Sequence, residues 1–224
     1  FFLIHSLLVM AYVIEKKERD LFPMRKMLPI LYELESGEVL QLVEARGEHW
    51  EQMRILLNKE IATGGSYPQE NTLDHSQFHA YYLSGNTFCV IPAEDADANP
   101  TIEKTFTANE VLGCFYIKPN FPGHCSHICN GGFLTKESAR KRGIGRFMAL
   151  SYLELARALG YRASMFNLVF VTNTASVNLW RSLGFKEIGV IPNAGYYPEK
   201  GGYIDAIQFY YDLTSIEKCA NKPE

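Results

Sequence analysis

From about Gly143 to Leu159 the chain sets Ile144, Met148, Leu155 and Leu159 at helical spacing, and Gly160 then marks a stop. The most hydrophobic stretch, Ala163 to Val171, follows at once and reads as a buried strand. This pair constrains the fold more than any other feature: a long one-faced helix needs a sheet to cover, and the strand must lie inside that sheet. The remaining elements fall around it. Val39 to Glu44 predicts a strand, Gly47 to Ile61 a helix with Trp50, Met53 and Leu57 on one face, and Asp74 to Leu83 a shorter helix. A turn at Gly85-Asn86 leads to an apolar strand, Thr87 to Ile91. Two strands, Val111 to Lys118 and about Ser126 to Thr135, flank a Pro-Asn-Phe-Pro-Gly turn. Thr174 to Leu183 predicts a helix closed by Gly184, and Phe185 to Ile191 and Tyr203 to Tyr211 predict two last strands. The order implies an α/β protein of the α+β kind, a mixed sheet with helices on both faces rather than strict βαβ alternation.

With 224 residues the chain suits one domain, and two would be tight. We assign 37–217 to that domain, 1–36 to an N-terminal extension of unassigned structure and 218–224 to a tail. Phe1 to Ile14 is apolar but broken by His5 and Ser6. It is shorter than the roughly 20 residues a membrane helix needs. It has neither the basic start nor the small-residue cleavage site of a secretory signal, so we read it as an element packed on the domain or on a second subunit. Glu94, Asp95, Asp97, Asn99 and Pro100 make Pro92 to Asn109 an exposed polar loop. A net charge of −3 with a single short basic run argues against nucleic acid as the main partner. Five cysteines spread thinly over the chain suggest free thiols in a reducing compartment, hence the cytoplasm, with a mitochondrial pool left open.

That single basic run is the sharpest local signal. Arg140-Lys141-Arg142-Gly143-Ile144-Gly145 lies between a strand and the long helix. Glycines let backbone approach a ligand, and free N–H groups at a helix start point at negative charge. Three cations add countercharge for a phosphate-rich ligand. The spacing fits neither Gly-x-Gly-x-x-Gly nor a P-loop. A plain solvated basic turn is the competing reading.

Two constellations mimic metal sites. His124, Cys125, His127 and Cys129 lie within one short stretch, partly on a strand whose side chains alternate between faces, so they cannot easily wrap a tetrahedron. His75 and His79 sit one helical turn apart, but Ser76 stands where His-Glu-x-x-His requires glutamate. We predict no metal.

The basic run resembles the Arg/Gln-x-x-Gly-x-Gly/Ala signature of the GNAT acetyltransferases, with Arg140, Gly143 and Gly145 in the named places. Asn173-Thr-Ala-Ser176-Val-Asn-Leu179-Trp180-Arg-Ser-Leu183-Gly184-Phe185 resembles that family's second block. Over Gly113 to about Glu217 the chain is further similar to the fungal azetidine-2-carboxylate N-acetyltransferases, notably in Cys125-Ser-His-Ile-Cys129-Asn130-Gly-Gly-Phe and Phe166-Asn167-Leu-Val-Phe-Val-Thr-Asn173.

The resemblance implies a mainly antiparallel sheet splayed between the family's fourth and fifth strands. It also implies acetyl-CoA as co-substrate, a small amine or amino acid as acceptor, direct attack without a covalent enzyme intermediate, and a homodimer as one option. It sets Phe133, Leu134 and Thr135 along the acetyl-pantetheine arm. Arg140, Lys141, Arg142, Gly143, Ile144, Gly145 and Arg146 fall at the diphosphate. Asn173 and Ser176 fall on the pantetheine or diphosphate, Asn173 doubling as a helix cap. Asn130 and Asn167 would bind and orient the acceptor across its pocket. Where many relatives carry a tyrosine acid this chain has Trp180, whose indole N–H is no acid, so the proton donor and the base are unassigned. Two rivals stay open: another acceptor (a polyamine, a drug or a protein N-terminus) and a CoA-binding module without turnover.

Overall fold

The computed structural model describes residue 14 and residues 18–64, 66–93 and 106–214. The apolar start up to residue 13, the acidic loop residues 94–105, Cys219 and the tail 218–224 lie outside the described residues. The elements in order are α1 (Phe22–Arg25), β1 (Ile30–Glu33), β2 (Val39–Glu44), α2 (Gly47–Thr63), α3 (His75–Tyr82), β3 (Asn86–Pro92) and β4 (Gly113–Pro119). They continue with β5 (Ile128–Asn130), β6 (Phe133–Thr135), α4 (Ile144–Ala158), β7 (Ala163–Phe170), α5 (Thr174–Ser182), β8 (Lys186–Tyr197) and β9 (Gly202–Asp212).

The strands form one sheet in the order β1-β2-β3-β4-β5-β7-β9-β8, with β6 paired to β4 alone. Every pairing is antiparallel except β5–β7. Alternation in the central strands explains why helices cover both faces. Phe88 and Val90 of β3 and Phe115 and Ile117 of β4 join the core under α4, with Met148, Tyr152 and Leu155. Their neighbours Cys89, Ile91, Cys114 and Tyr116 join a second core under α2 and α3, with Met53, Leu57, Phe78 and Tyr82. Strands buried on both sides read as continuous apolar runs, and each large side chain so buried contributes about 1.5–3 kcal/mol.

Three readings are corrected. The strand expected from Ser126 to Thr135 is two, β5 and β6, broken at Gly131-Gly132. A Cβ on Gly131 would stand 2.7 Å from the Tyr152 ring and one on Gly132 2.6 Å from the Tyr116 ring, so two buried tyrosines press the chain out of line there. Trp50 lies at the rim of its helix, 38% exposed, edge-on to His79. β8 runs on to Tyr197, past the expected Ile191. Residues 22–34, unassigned by sequence, hold α1 and β1, and Met24 and Leu34 are buried in the core under α4.

Candidate active site

What the resemblance counts as the fourth strand is β5 and β6, and its fifth is β7. β5 pairs with β7 only through Ile128↔Ala163 and Cys129↔Ser164. Beyond that point β6 stays on β4 while β7 continues on β9, and the sheet parts. Tyr152 of α4 pins the near end of the opening, its hydroxyl 2.7 Å from Ser164 Oγ and 3.2 Å from Cys129 Sγ.

A cleft of about 860 Å³ follows the opening, walled by Phe133–Thr135 on one side and Phe166–Phe170 on the other. Leu134 pairs with Cys114, and Lys136 N–H donates to Leu112 O at 2.8 Å. By the alternation of an antiparallel ladder, the amides of Phe133 and Thr135 therefore face away from β4, into the cleft. Their carbonyls accept from Tyr67 Oη (3.4 Å) and Arg140 Nε (3.3 Å).

At one mouth lies the basic loop. Lys141 and Gly143 are left-handed, with φ of 63° and 80°. Gly143 caps α4 by its backbone alone, and the first helical bond is Phe147 N–H to Gly143 O. The N–H groups of Ile144, Gly145 and Arg146 thus lack intrahelical partners and form an anion cradle. Nothing lies within 4 Å of a Cβ on Gly145. β1 braces the loop: Tyr32 Oη donates to Arg142 O (3.3 Å) and its ring stacks on Phe147. The cations do not converge. Arg140 is ion-paired with Glu60 of α2, Arg142 lies over the Phe106 ring, Arg146 donates to Ser182 Oγ, and Lys141 is exposed. The neighbouring pair Lys59–Glu137 ties the same helix end to the same loop.

Asn173 caps α5, its Oδ1 accepting from Ser176 N–H at 3.2 Å, while its Nδ2 donates to Ser66 Oγ. Trp180 is 3% exposed among Phe133, Phe166 and Phe185, and its indole N–H donates to Ser176 Oγ at 2.8 Å. The indole is a buried, satisfied wall. Burial likewise holds the Tyr67, Tyr82, Tyr116 and Tyr152 hydroxyls well above the ordinary phenol range, so none is a ready acid at neutral pH.

At the other end of the opening Asn130 and Asn167 do meet, but through a third amide. Asn120 Oδ1 accepts from Asn130 Nδ2 (2.9 Å) and Asn167 Nδ2 (2.6 Å), and Asn120 Nδ2 donates to Asn167 Oδ1 (2.9 Å). Asn130 Oδ1 takes no bond from a described residue, so its acceptor capacity is unused there. The β7–β9 register slips between Phe166 and Val169, and this irregularity carries Asn167. Lys118 and Asn120 stand in the stretch Gly-Cys-Phe-Tyr-Ile-Lys-Pro-Asn (113–120), which also resembles the fungal enzymes, but pattern reading assigned them no role, and it did not single out Tyr32 or Glu60. Asn120 lay inside the expected turn, and Tyr32 and Glu60 carry no spacing signal.

The metal mimics come apart. Cys129 is buried, its thiol pushed up to about 12 by burial and bonded to Tyr152, whereas Cys125 is exposed. His75 and His79 are both exposed. Among the described residues no group of three or more His, Cys, Asp or Glu could hold a metal ion. Nor is any described helix long and apolar enough to cross a membrane.

A mixed sheet that parts beside a helix start without a side-chain cap, with a cleft along the opening, is the architecture expected of an acyl-CoA-type transferase. The comparisons agree. The model of the acetyltransferase (GNAT) family matches residues 50–185. N-acetyltransferase aca1 of Schizosaccharomyces pombe is 38% identical over 169 residues, 74% of this chain and 80% of that protein. A GCN5-related N-acetyltransferase from Kribbella flavida superposes with a TM-score of 0.67 at 29% identity, over 77% of this chain and 97% of that one. The fold is shared by yncA of Salmonella typhimurium, solved with its cofactor acetyl-CoA (TM-score 0.64, 16% identity, 78% and 94% covered). The chain belongs to the GNAT family and is an acetyl-CoA-dependent acyltransferase.

Proposed function

We propose that the protein acetylates the amine of a small amino acid, of the proline-analogue class represented by azetidine-2-carboxylate, by direct attack in a ternary complex. One observation carries the reading: a single cleft joins the N–H cradle of α4 to the Asn120–Asn130–Asn167 cluster through the parted sheet. The diphosphate is assigned to the N–H groups of Ile144, Gly145 and Arg146 with Arg140 to Arg142, and the pantetheine to Phe133–Thr135, Asn173 and Ser176. The thioester oxygen would take a cleft-facing amide of β6, a donor already set where negative charge develops. Asn130 Oδ1 would accept from the acceptor nitrogen and aim its lone pair at the carbonyl. The N–C bond forms as the C–S bond breaks, and the amine proton goes to water. The thiolate leaves without an acid from Trp180, since a thiol pKa of about 8–9 makes it an adequate leaving group.

Thiol release from acetyl-CoA, with azetidine-2-carboxylate, proline, putrescine and a peptide amine offered in parallel, tests this. Turnover confined to the cyclic amino acids is expected. Turnover with putrescine or peptide instead would shift the acceptor class, and CoA binding without turnover would make the chain a binding module.

A further inference from the structure

Lys118, the last residue but one of β4, stands directly opposite Asn130 in the β4–β5 ladder. Side chains of such a pair leave the same face of the sheet with neighbouring Cβ atoms. The Lys118 side chain therefore starts beside that of Asn130, and Lys118 lines the same cleft as the asparagine cluster. It lines the wall shared by the 860 Å³ cleft and an adjoining cavity of about 1240 Å³. The Nζ donates to Tyr81 O at 2.8 Å and lies 4.4 Å and 4.7 Å from the centroids of Tyr116 and Tyr81. Those contacts use one of three donors and two ring faces. Among the described residues no carboxylate pairs with it. Burial draws its pKa down to about 8 with no opposing charge.

One carbonyl and two ring faces compensate a half-buried cation only in part, and its spare donors and missing counter-ion leave the rest to a ligand. A polar partner in the cavity would supply it. Resting on the acetyltransferase reading above, we propose that Lys118 is the specificity-determining cation of this site: it binds the carboxylate of the acceptor while the asparagine cluster orients the amine. The two groups belong to one small molecule because the two anchors are ladder partners. A polyamine would put a second positive charge against the same ammonium and be disfavoured.

The test is calorimetric binding to full-length protein saturated with CoA, using azetidine-2-carboxylate and its methyl ester. Wild type should bind the acid at least roughly tenfold more tightly than the ester, the span of one charge-assisted hydrogen bond. Lys118→Met should bring that ratio to within about twofold, and Lys118→Arg should keep most of it. CoA affinity serves as the folding control for both variants. Equal affinities for acid and ester in wild type, no binding of the acid, or an undiminished preference in Lys118→Met would each overturn the proposal. Thiol release is scored separately on the same samples. A preference in binding without turnover would sink the enzymatic reading and leave the role of Lys118 standing.

Discussion

Asn120 shows why a short side chain can matter more than its place in a turn suggests. Its one oxygen takes both neighbouring amides, so it sets the rotamers of Asn130 and Asn167 together. Asn120→Ala should lower kcat/KM for the acceptor by roughly 10–100-fold, from about 1–3 kcal/mol of lost and orphaned hydrogen bonds. The Kd of CoA should hold, and equal loss of both would deny the cluster an acceptor role. Lys118 makes a thermodynamic prediction at the same scale. Its pKa is about 8 when folded against 10.5 as the ordinary value. Between those values the unfolded chain keeps a proton that the folded one has shed, so stability rises with pH across that window. Below pH 8 both states are charged and the whole desolvation cost is present. Lys118→Met should therefore raise the denaturation midpoint at pH 7, and its advantage should shrink by pH 10.5. A midpoint that falls at pH 7 would mean that Tyr81 and Tyr116 already compensate the charge.

At the scale of elements, α2 does more than cover the sheet. Its last turns hold Arg140 through Glu60 and Glu137 through Lys59, which keeps the basic loop in place but occupies one of its cations. A diphosphate bound there as proposed would compete with Glu60 for that guanidinium. Glu60→Gln should tighten CoA binding by roughly 1.5–5-fold, the ~0.2–1 kcal/mol worth of a partly exposed ion pair, and Arg140→Ala should weaken it. If Glu60→Gln weakens binding instead, the pair positions Arg140 rather than restraining it. These two ionic ties lie outside the reach of pattern reading, because nothing in the spacing of Lys59, Glu60, Glu137 and Arg140 announces that their elements meet. Periodicity did reveal α2, α3, α4, α5 and the two-faced strands, since packing against a sheet imposes it. It missed α1 and β1, which are too short to show a period, and it ran β5 and β6 together. Only contacts remote in sequence, Tyr152 and Tyr116 against Gly131-Gly132, explain that break. Asn130, Asn167 and the basic loop were legible as motifs with roles, whereas the roles of Asn120 and Lys118 come only from hydrogen bonds and ladder register that the sequence does not display.

For the molecule as a whole, the question is whether the two cores flanking the sheet open together. The cysteines can answer it. Cys89 and Cys114 lie in the core under α2 and α3, and Cys129 in the core under α4. All three are 0% exposed, and burial pushes the Cys114 and Cys129 thiols up to about 12 and Cys89 in the same direction. A buried thiol of this kind reacts only after opening, whereas Cys125 is exposed and should alkylate at once. Mass spectrometry after timed iodoacetamide labelling should find the three buried thiols modified at a common rate, because β3 and β4 supply side chains to both cores and neither can open alone. CoA at about 100 times its Kd should slow all three by roughly 100-fold, the 2.7 kcal/mol that ligation adds to global stability. Protection of Cys129 alone would show that ligand closes only the parted half of the sheet, and would make that half a separate unit of opening.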